Sequence, residues 1–193
     1  IQYVGDDCKE ALYESIKACS VRPGLCKTAG LKLVYSPLNG SGLVPVMRVL
    51  NDIGIDDITI VPEQQYPDGN FPTCPYPNPE IREAMQLGLD RLKELDGDIL
   101  IATDPDADRV GIAVKENDDY VLITGNQVGI LLTDYIAKTR KELGCMPENP
   151  VMVKSIVSSS LADEVAKSYG VEMKNVLTGF KYIGEQIALL EAK

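Results

Sequence analysis

Histidine is absent from the 193-residue chain, and its absence removes any Ser-His-Asp or Cys-His mechanism from within it. General acid–base work, where it occurs, falls to Asp, Glu, Lys or Tyr. Positive charge is scarce: 19 Lys and Arg face 29 Asp and Glu, a net charge of −10. Such a chain lacks the basic face that nucleic acid or an anionic membrane would select. It remains open to phosphate ligands, because one bound cation and a few local basic groups reverse the sign within a site. Apolar runs are short, none near the roughly 18 residues of a membrane span, and no signal peptide opens the sequence; a cytoplasmic location is expected. Cys8, Cys19, Cys26, Cys74 and Cys145 are odd in number and form no CxxC pair, which suits reduced thiols better than a disulfide frame. Without histidine to join them, zinc is not expected. The remainder, 45% hydrophobic and 25% charged, is ordinary for a folded protein of one or two domains.

What is present is acid concentrated in one place. Residues 103–109 read Thr-Asp-Pro-Asp-Ala-Asp-Arg, with Asp104, Asp106 and Asp108 spaced by two and Arg109 next in line. The preceding Asp98-Ile-Leu-Ile-Ala102 reads as a short buried strand, so the acids sit where a strand ends. Two carboxylates about 5 Å apart repel by roughly 3 kcal/mol at an effective dielectric of 20, and protons or a cation relieve such crowding. Three converging oxygens suit a hard divalent ion, and the planar fork of Arg109 suits phosphate. The pattern points to a metal site built for a phosphorylated substrate. An acidic surface loop and a negatively charged helix start fit the same residues. An EF-hand does not: counted from Asp104, position six is Arg109 where glycine is wanted, and position twelve is Lys115 where glutamate is needed. A phosphatase of the haloacid-dehalogenase type, with Asp104 as nucleophile, stays open but leaves the third acid and the arginine unexplained.

Strand and helix patterns alternate along the chain. Asp6 or Asp7 is expected to cap a first helix, with Ala11, Leu12, Ile16 and Cys19 giving a helical stripe. Leu31–Tyr35 reads as a strand, 36–42 as a turn, and 43–53 as a helix stopped by Gly54. A strand over 58–61 precedes a long irregular stretch to Pro77. Asn78 is expected to cap, and Pro79 to begin, a helix running to about Leu95. Strands follow at 98–102, 110–114 and 120–123, the last two joined as a hairpin. A helix over 126–143 is expected to turn Val128, Leu131, Leu132, Tyr135 and Ile136 inward. Val151–Ile156 leads through Ser158-Ser159-Ser160 to a helix closing at Gly170, and 173–177 is a further strand. The two halves repeat weakly: strand, polar turn, helix starting near a leucine (Leu43, Leu161), glycine plus aliphatic (Gly54-Ile55, Gly170-Val171), strand. Alternation of this kind predicts an α/β fold of layered three-layer α/β/α units, with mixed, mostly parallel sheets and two similar domains.

Five segments in order, spanning nearly the whole chain, resemble the α-D-phosphohexomutases, the phosphoglucomutases, phosphomannomutases and their relatives. They are Leu31–Gly42, the Pro-x-Pro-Asn-Pro-Glu match at 75–80, the acidic loop at 104–109, Leu122–Leu132, and Thr178-Gly179-Phe180-Lys181. The Asp-Pro-Asp-Ala-Asp form is most similar to the branch related to phosphopentomutases. The resemblance implies a second, metal-loop domain over 1–117, including a leading linker helix, and a truncated third domain over 118–193, out of four. It implies that Asp104, Asp106 and Asp108 hold Mg²⁺, with a phosphoserine oxygen from a domain outside this chain completing the shell. Arg109 would contact phosphate or sugar oxygens, and Thr178 and Lys181 would face the substrate, Lys181 neutralising charge or shuttling a proton. It further implies phosphoryl transfer within hexose phosphates through a phosphoserine and a bisphosphorylated sugar, with glucose 1,6-bisphosphate or an equivalent as activator of the full enzyme. The partners are a small sugar phosphate and the remaining domains of the parent chain, so the isolated piece is expected to be inactive. The family's phosphoserine loop contains histidine and so lies outside this chain. Ser158–Ser160 read as a hydroxyl-rich helix start rather than a substitute nucleophile, 75–80 as a turn leading into a helix, and Gly40-Ser41-Gly42 as architectural. A phosphopentomutase-type relative, a non-catalytic metal- or partner-binding module and the Asp-nucleophile phosphatase are the alternatives.

Overall fold

Short strands of four to seven residues separated by helices build two α/β units, which divide after Gly125. The structure, a computed structural model, describes residues 3–192. In the first unit the order is α1 (Asp6–Ala18), β1 (Lys32–Ser36), α2 (Leu43–Asp52), β2 (Asp57–Ile60), α3 (Arg82–Glu94), β3 (Ile99–Thr103), β4 (Val110–Glu116) and β5 (Asp119–Ile123). Its sheet runs β2-β1-β3-β4-β5, parallel across the first three strands and antiparallel thereafter. Leu33 and Tyr35 point to one face, where Leu43, Val46, Met47 and Leu50 of α2 cover them. Val34, Leu100, Ala102 and Ala113 point to the other, beneath Ala84, Met85, Leu89 and Leu92 of α3. Opposite sides of alternate strand residues thus bury against different helices, which makes three layers.

The second unit contains α4 (Gly125–Glu142), β6 (Val151–Ser155), α5 (Leu161–Ser168), β7 (Glu172–Val176) and α6 (Phe180–Glu191), with β6 and β7 paired in parallel. Its core gathers Ala137, Ala166 and Val171 with Met146, Met152, Tyr169 and Met173. The expected α/β architecture with a mixed sheet is therefore present. The internal repeat has a physical basis as well. At both helix ends a left-handed glycine (Gly54, φ 94°; Gly170, φ 77°) lets the next residue's N–H reach back to the helix, Ile55 to the Leu50 carbonyl and Val171 to the Ala166 carbonyl, each at 3.0 Å.

Several expectations need correction. Gly5, not Asp6 or Asp7, occupies the cap of α1, and the acids fill its first turn. The helical stripe of Ala11, Leu12, Ile16 and Cys19 is present but exposed, and Tyr13 is the buried residue of α1. The helix is fastened by charge instead: Arg48 on α2 grips Glu10 at 2.9 and 2.8 Å, also bonds Asp52, and lies over the Tyr13 ring. Asn78 and Pro79 do not open α3. The Asn78 carboxamide accepts from Glu80 N at 3.0 Å in a local turn, and the helix starts at Arg82 behind Ile81. Pro79 instead lies on β4, where a Cβ at Gly111 would come within 2.3 Å of the Pro79 carbonyl. In α4, Leu131, Leu132 and Tyr135 are exposed, Val128 and Ile136 half-buried, and Ala137 and Thr139 take the inner positions. Ala137 thereby joins Ala166 and Val171 in the second unit's core.

Candidate metal and phosphate site

The sheet order places β1 between β2 and β3, so the chain leaves β1 in one direction and returns beside it on the other. In open α/β sheets ligands bind outside the carboxyl ends of the strands where the order reverses. Two connections emerge there: the turn 37–42 after β1 and the acidic loop 104–109 after β3. Asp104 follows the last residue of β3 and is buried, 6% exposed, while Asp106 and Asp108 stand exposed. The loop is folded on itself. Ala107 N donates to the Asp104 carbonyl at 3.0 Å with Ala107 in the left-handed region (φ 60°), and Arg109 N donates to Asp104 Oδ1 at 2.9 Å.

This fold brings one carboxylate oxygen from each of Asp104, Asp106 and Asp108 within 4.8 Å of the others. Two ligands of one Mg²⁺ at about 2.1 Å each stand at most about 4.2 Å apart. The donor set is therefore right in type, three hard oxygens, and any pair at the 4.8 Å limit would close by about 0.6 Å around magnesium. Arg109 Nε lies 3.8 Å from Asp104 Oδ2 and 3.9 Å from Asp108 Oδ1, and its side chain is 58% exposed. The guanidinium thus leans on two of the three acids without closing hydrogen bonds to either, which leaves its fork free to turn to another anion.

Contacts that the sequence pattern does not reveal hold this end of the sheet. Tyr35 OH and Thr103 Oγ1, both buried, are 2.9 Å apart; burial pushes the Tyr35 phenol up, with the Thr103 bond acting against it. Ser41 donates to the Pro105 carbonyl twice, from its N–H at 2.9 Å and from Oγ at 3.0 Å. Thr178 and Lys181 belong to the second unit, at the β7–α6 junction. Both are exposed, Gly179 between them has φ 130°, and Lys181 Nζ stands 4.8 Å over the Tyr182 ring. Of the hydroxyls of 158–160, that of Ser159 serves the start of α5 by accepting from Leu161 N, while Ser158 Oγ pairs with Ser155 Oγ and the backbone N–H of Ser159 donates to Asn126 Oδ1. Close by, Lys154 of β6 bonds Asp163 at 3.0 Å, largely buried. Asn175 and then Lys154 hold the Asp163 carboxyl below its ordinary range. A lysine inside the apolar run 151–156 is the sequence signal for that pair.

A mixed α/β/α unit with a strand-end triad of aspartates, followed by a second unit with a parallel strand pair, defines an α/β protein with a candidate oxygen-donor metal site. The chain belongs to the phosphoglucomutase/phosphomannomutase family: the family's alpha/beta/alpha domain II matches residues 11–117 and its alpha/beta/alpha domain III matches 124–193. A phosphomannomutase from Mycoplasmoides pirum is 33% identical over 187 residues, covering 97% of this chain and 34% of the relative. In fold, the chain resembles a phosphoglucomutase/phosphomannomutase family protein from Burkholderia thailandensis with a TM-score of 0.73 at 21% identity, over 93% of this chain and 35% of that one. It also resembles the N-acetylphosphoglucosamine mutase of Aspergillus fumigatus, solved in complex with GlcNAc-6P and magnesium (TM-score 0.55, 19% identity, 90% and 36% coverage). The chain thus spans about a third of the length of the relatives it matches.

Proposed function

We propose that this chain supplies the metal-loop domain and part of the third domain of a Mg²⁺-dependent phosphosugar mutase. That enzyme moves a phosphoryl group within hexose phosphates through a phosphoserine and a bisphosphorylated sugar. The observation that carries the reading is the convergence of three aspartate oxygens within 4.8 Å at the carboxyl end of β3, in a chain of this family. A magnesium complex of a mutase with the same fold supports the choice of ion. The domain assignment is 1–117 for the metal-loop domain and 118–193 for the third; the family matches, 11–117 and 124–193, support it, while β5, at 119–123, completes the first unit's sheet.

Phosphoryl transfer is mainly positioning and charge neutralisation. In this reading Asp104, Asp106 and Asp108 hold Mg²⁺, which neutralises charge on the phosphoryl oxygens. Arg109, already resting against two of those acids, contacts phosphate or sugar oxygens. Thr178 and Lys181 bind substrate from the second unit, and Lys181 neutralises charge or carries a proton. The phosphoserine, and with it mutase activity, belongs to the rest of the parent protein, so the 193-residue chain alone is inactive. The enzyme is soluble and cytoplasmic; among the described residues no helix is long and apolar enough to cross a membrane.

Titration of the chain with Mg²⁺ and with glucose 1,6-bisphosphate, beside an Asp106→Asn variant, tests this. Binding of both by the wild-type chain and loss of Mg²⁺ binding in the variant is the expected result. A parent enzyme that is phosphorylated, supplied with Mg²⁺ and still unable to interconvert sugar phosphates would overturn it.

A further inference from the structure

We propose that the turn between β1 and α2 is the positioning element of the acidic loop, with Ser41 as its contact residue; the functional part of this inference rests on the metal-site reading above. The turn is held in a conformation that its sequence does not favour. Leu38 (φ 48°) and Asn39 (φ 57°) are consecutive left-handed residues, and each such non-glycine residue costs on the order of 1 kcal/mol or more. Strain of this kind persists only where surroundings over-determine it, and here they do. Buried Ser36 Oγ accepts from Leu38 N at 3.1 Å and donates to Gln64 at 2.7 Å. Asn39 N donates to the Gln64 carbonyl, and its carboxamide donates to the Glu63 and Tyr66 carbonyls. The turn is anchored from below by a connection some 25 residues away in sequence.

Its upper side meets the acidic loop. Both Ser41 donors converge on the Pro105 carbonyl, between the first two aspartates. Gly40 is pressed against the same residue: a Cβ there would stand 2.4 Å from Pro105 Cα and 2.6 Å from its carbonyl oxygen. Gly40 has an ordinary φ, so alanine suits its backbone and would act only by pushing on Pro105. A Cβ at Gly42 would come within 2.7 Å of Thr103 Oγ1 and of Tyr35 OH, the pair beneath Asp104. Attraction at 41 and contact at 40 and 42 together fix where the loop crosses the end of β3. Asp106 and Asp108, being exposed, have no packing of their own to set that position. The loop amides then take up their internal bonds, Ala107 to the Asp104 carbonyl and Arg109 to the Asp104 carboxylate.

The test uses the 193-residue chain with Ser41→Ala, Ser41→Thr and Gly40→Ala. Amide exchange at Ala107 and Arg109 is followed by NMR, and Mn²⁺ affinity by paramagnetic resonance. Loss of a hydrogen bond of ordinary strength predicts roughly 3- to 10-fold faster exchange at both amides in Ser41→Ala, and a comparable loss of Mn²⁺ affinity. Leu100 and Ala113 amides stay unchanged, Ser41→Thr restores both readouts, and Gly40→Ala exceeds Ser41→Ala. Unchanged loop exchange in Ser41→Ala and Gly40→Ala, or equal acceleration of loop and core, overturns the positioning role. A wild-type chain that binds no Mn²⁺ overturns the metal reading instead, and the exchange measurement still decides whether the turn positions the loop.

Discussion

Neutralising Asp106 should stabilise the metal-free protein while removing its response to magnesium. Each pair of carboxylate oxygens in the triad is at most 4.8 Å apart. At that distance two charges repel by about 1 kcal/mol in bulk water and about 3 kcal/mol at an effective dielectric of 20. Asp106 is exposed, so the lower value applies to it. Arg109 approaches Asp104 and Asp108, whereas Asp106 takes part in no ion pair among the described residues, and its repulsion is the least compensated of the three. Asp106→Asn keeps the shape and removes the charge. In chelator its unfolding free energy should exceed the wild type's by about 1 kcal/mol. Binding to the folded state alone adds about 1.4 kcal/mol at a tenfold excess of ion over Kd and about 2.7 kcal/mol at a hundredfold excess. The wild type should therefore start below the variant and overtake it as Mg²⁺ rises. Urea unfolding followed by far-ultraviolet circular dichroism, at matched ionic strength with and without Mg²⁺, gives both differences. A variant less stable than wild type in chelator, or two proteins that respond alike to Mg²⁺, would refute the claim that these acids crowd together to hold a cation.

Tyr35→Phe leaves buried Thr103 without its partner and should cost about 1 to 3 kcal/mol in urea unfolding. Because the Tyr35 phenol is raised in the fold, its contribution is complete below the unfolded value near pH 10 and is lost as pH rises through the folded one; alkaline loss of stability should therefore be smaller in the variant. Gly88→Ala should destabilise by about 1 to 3 kcal/mol by overpacking, read from the urea midpoint, since its Cβ would lie 2.6 Å from Leu100 Cδ1 between α3 and β3. Lys17 and then Arg48 hold the Asp52 carboxyl below its ordinary value, so its support for α1 is present above about pH 4 and lost as pH falls through the folded value. NMR of the Tyr13 ring under Arg48 should show α1 detaching in acid while the β1–β3 core stays folded, and high salt should speed amide exchange in α1 in the same way.

The legible parts of this chain are those whose cause is local. Acids spaced by two after an apolar strand stand out as a candidate cluster because one short loop at a strand end carries all three. The paired glycine-aliphatic stops at 54–55 and 170–171 repeat because one hydrogen-bonded closure needs a left-handed residue in each. Helix faces are less legible, since an apolar stripe says only that something covers it. In α1 the covering role within this unit falls to Tyr13 and a guanidinium, and in α4 to Ala137 and Thr139, while the bulkier stripes face outward. The sequence Asn78-Pro79 has every mark of a helix start, yet close packing of Pro79 on Gly111 holds it in a turn and delays α3 until Arg82. The Gly40-Ser41-Gly42 turn is legible as architecture, but its partner is not, because Tyr35 meets Thr103 and Ser41 meets Pro105 across more than sixty residues. Both contacts follow from one topological fact, that β1 and β3 lie side by side and parallel, so that whatever follows one strand must pack against whatever follows the other. The charges in such a site are therefore written in a single stretch of sequence, while its geometry is written in the glycines and hydroxyls of the neighbouring strand's exit. Substitutions at Gly40 or Ser41 should consequently disturb ion binding more than their distance in sequence from the aspartates would suggest.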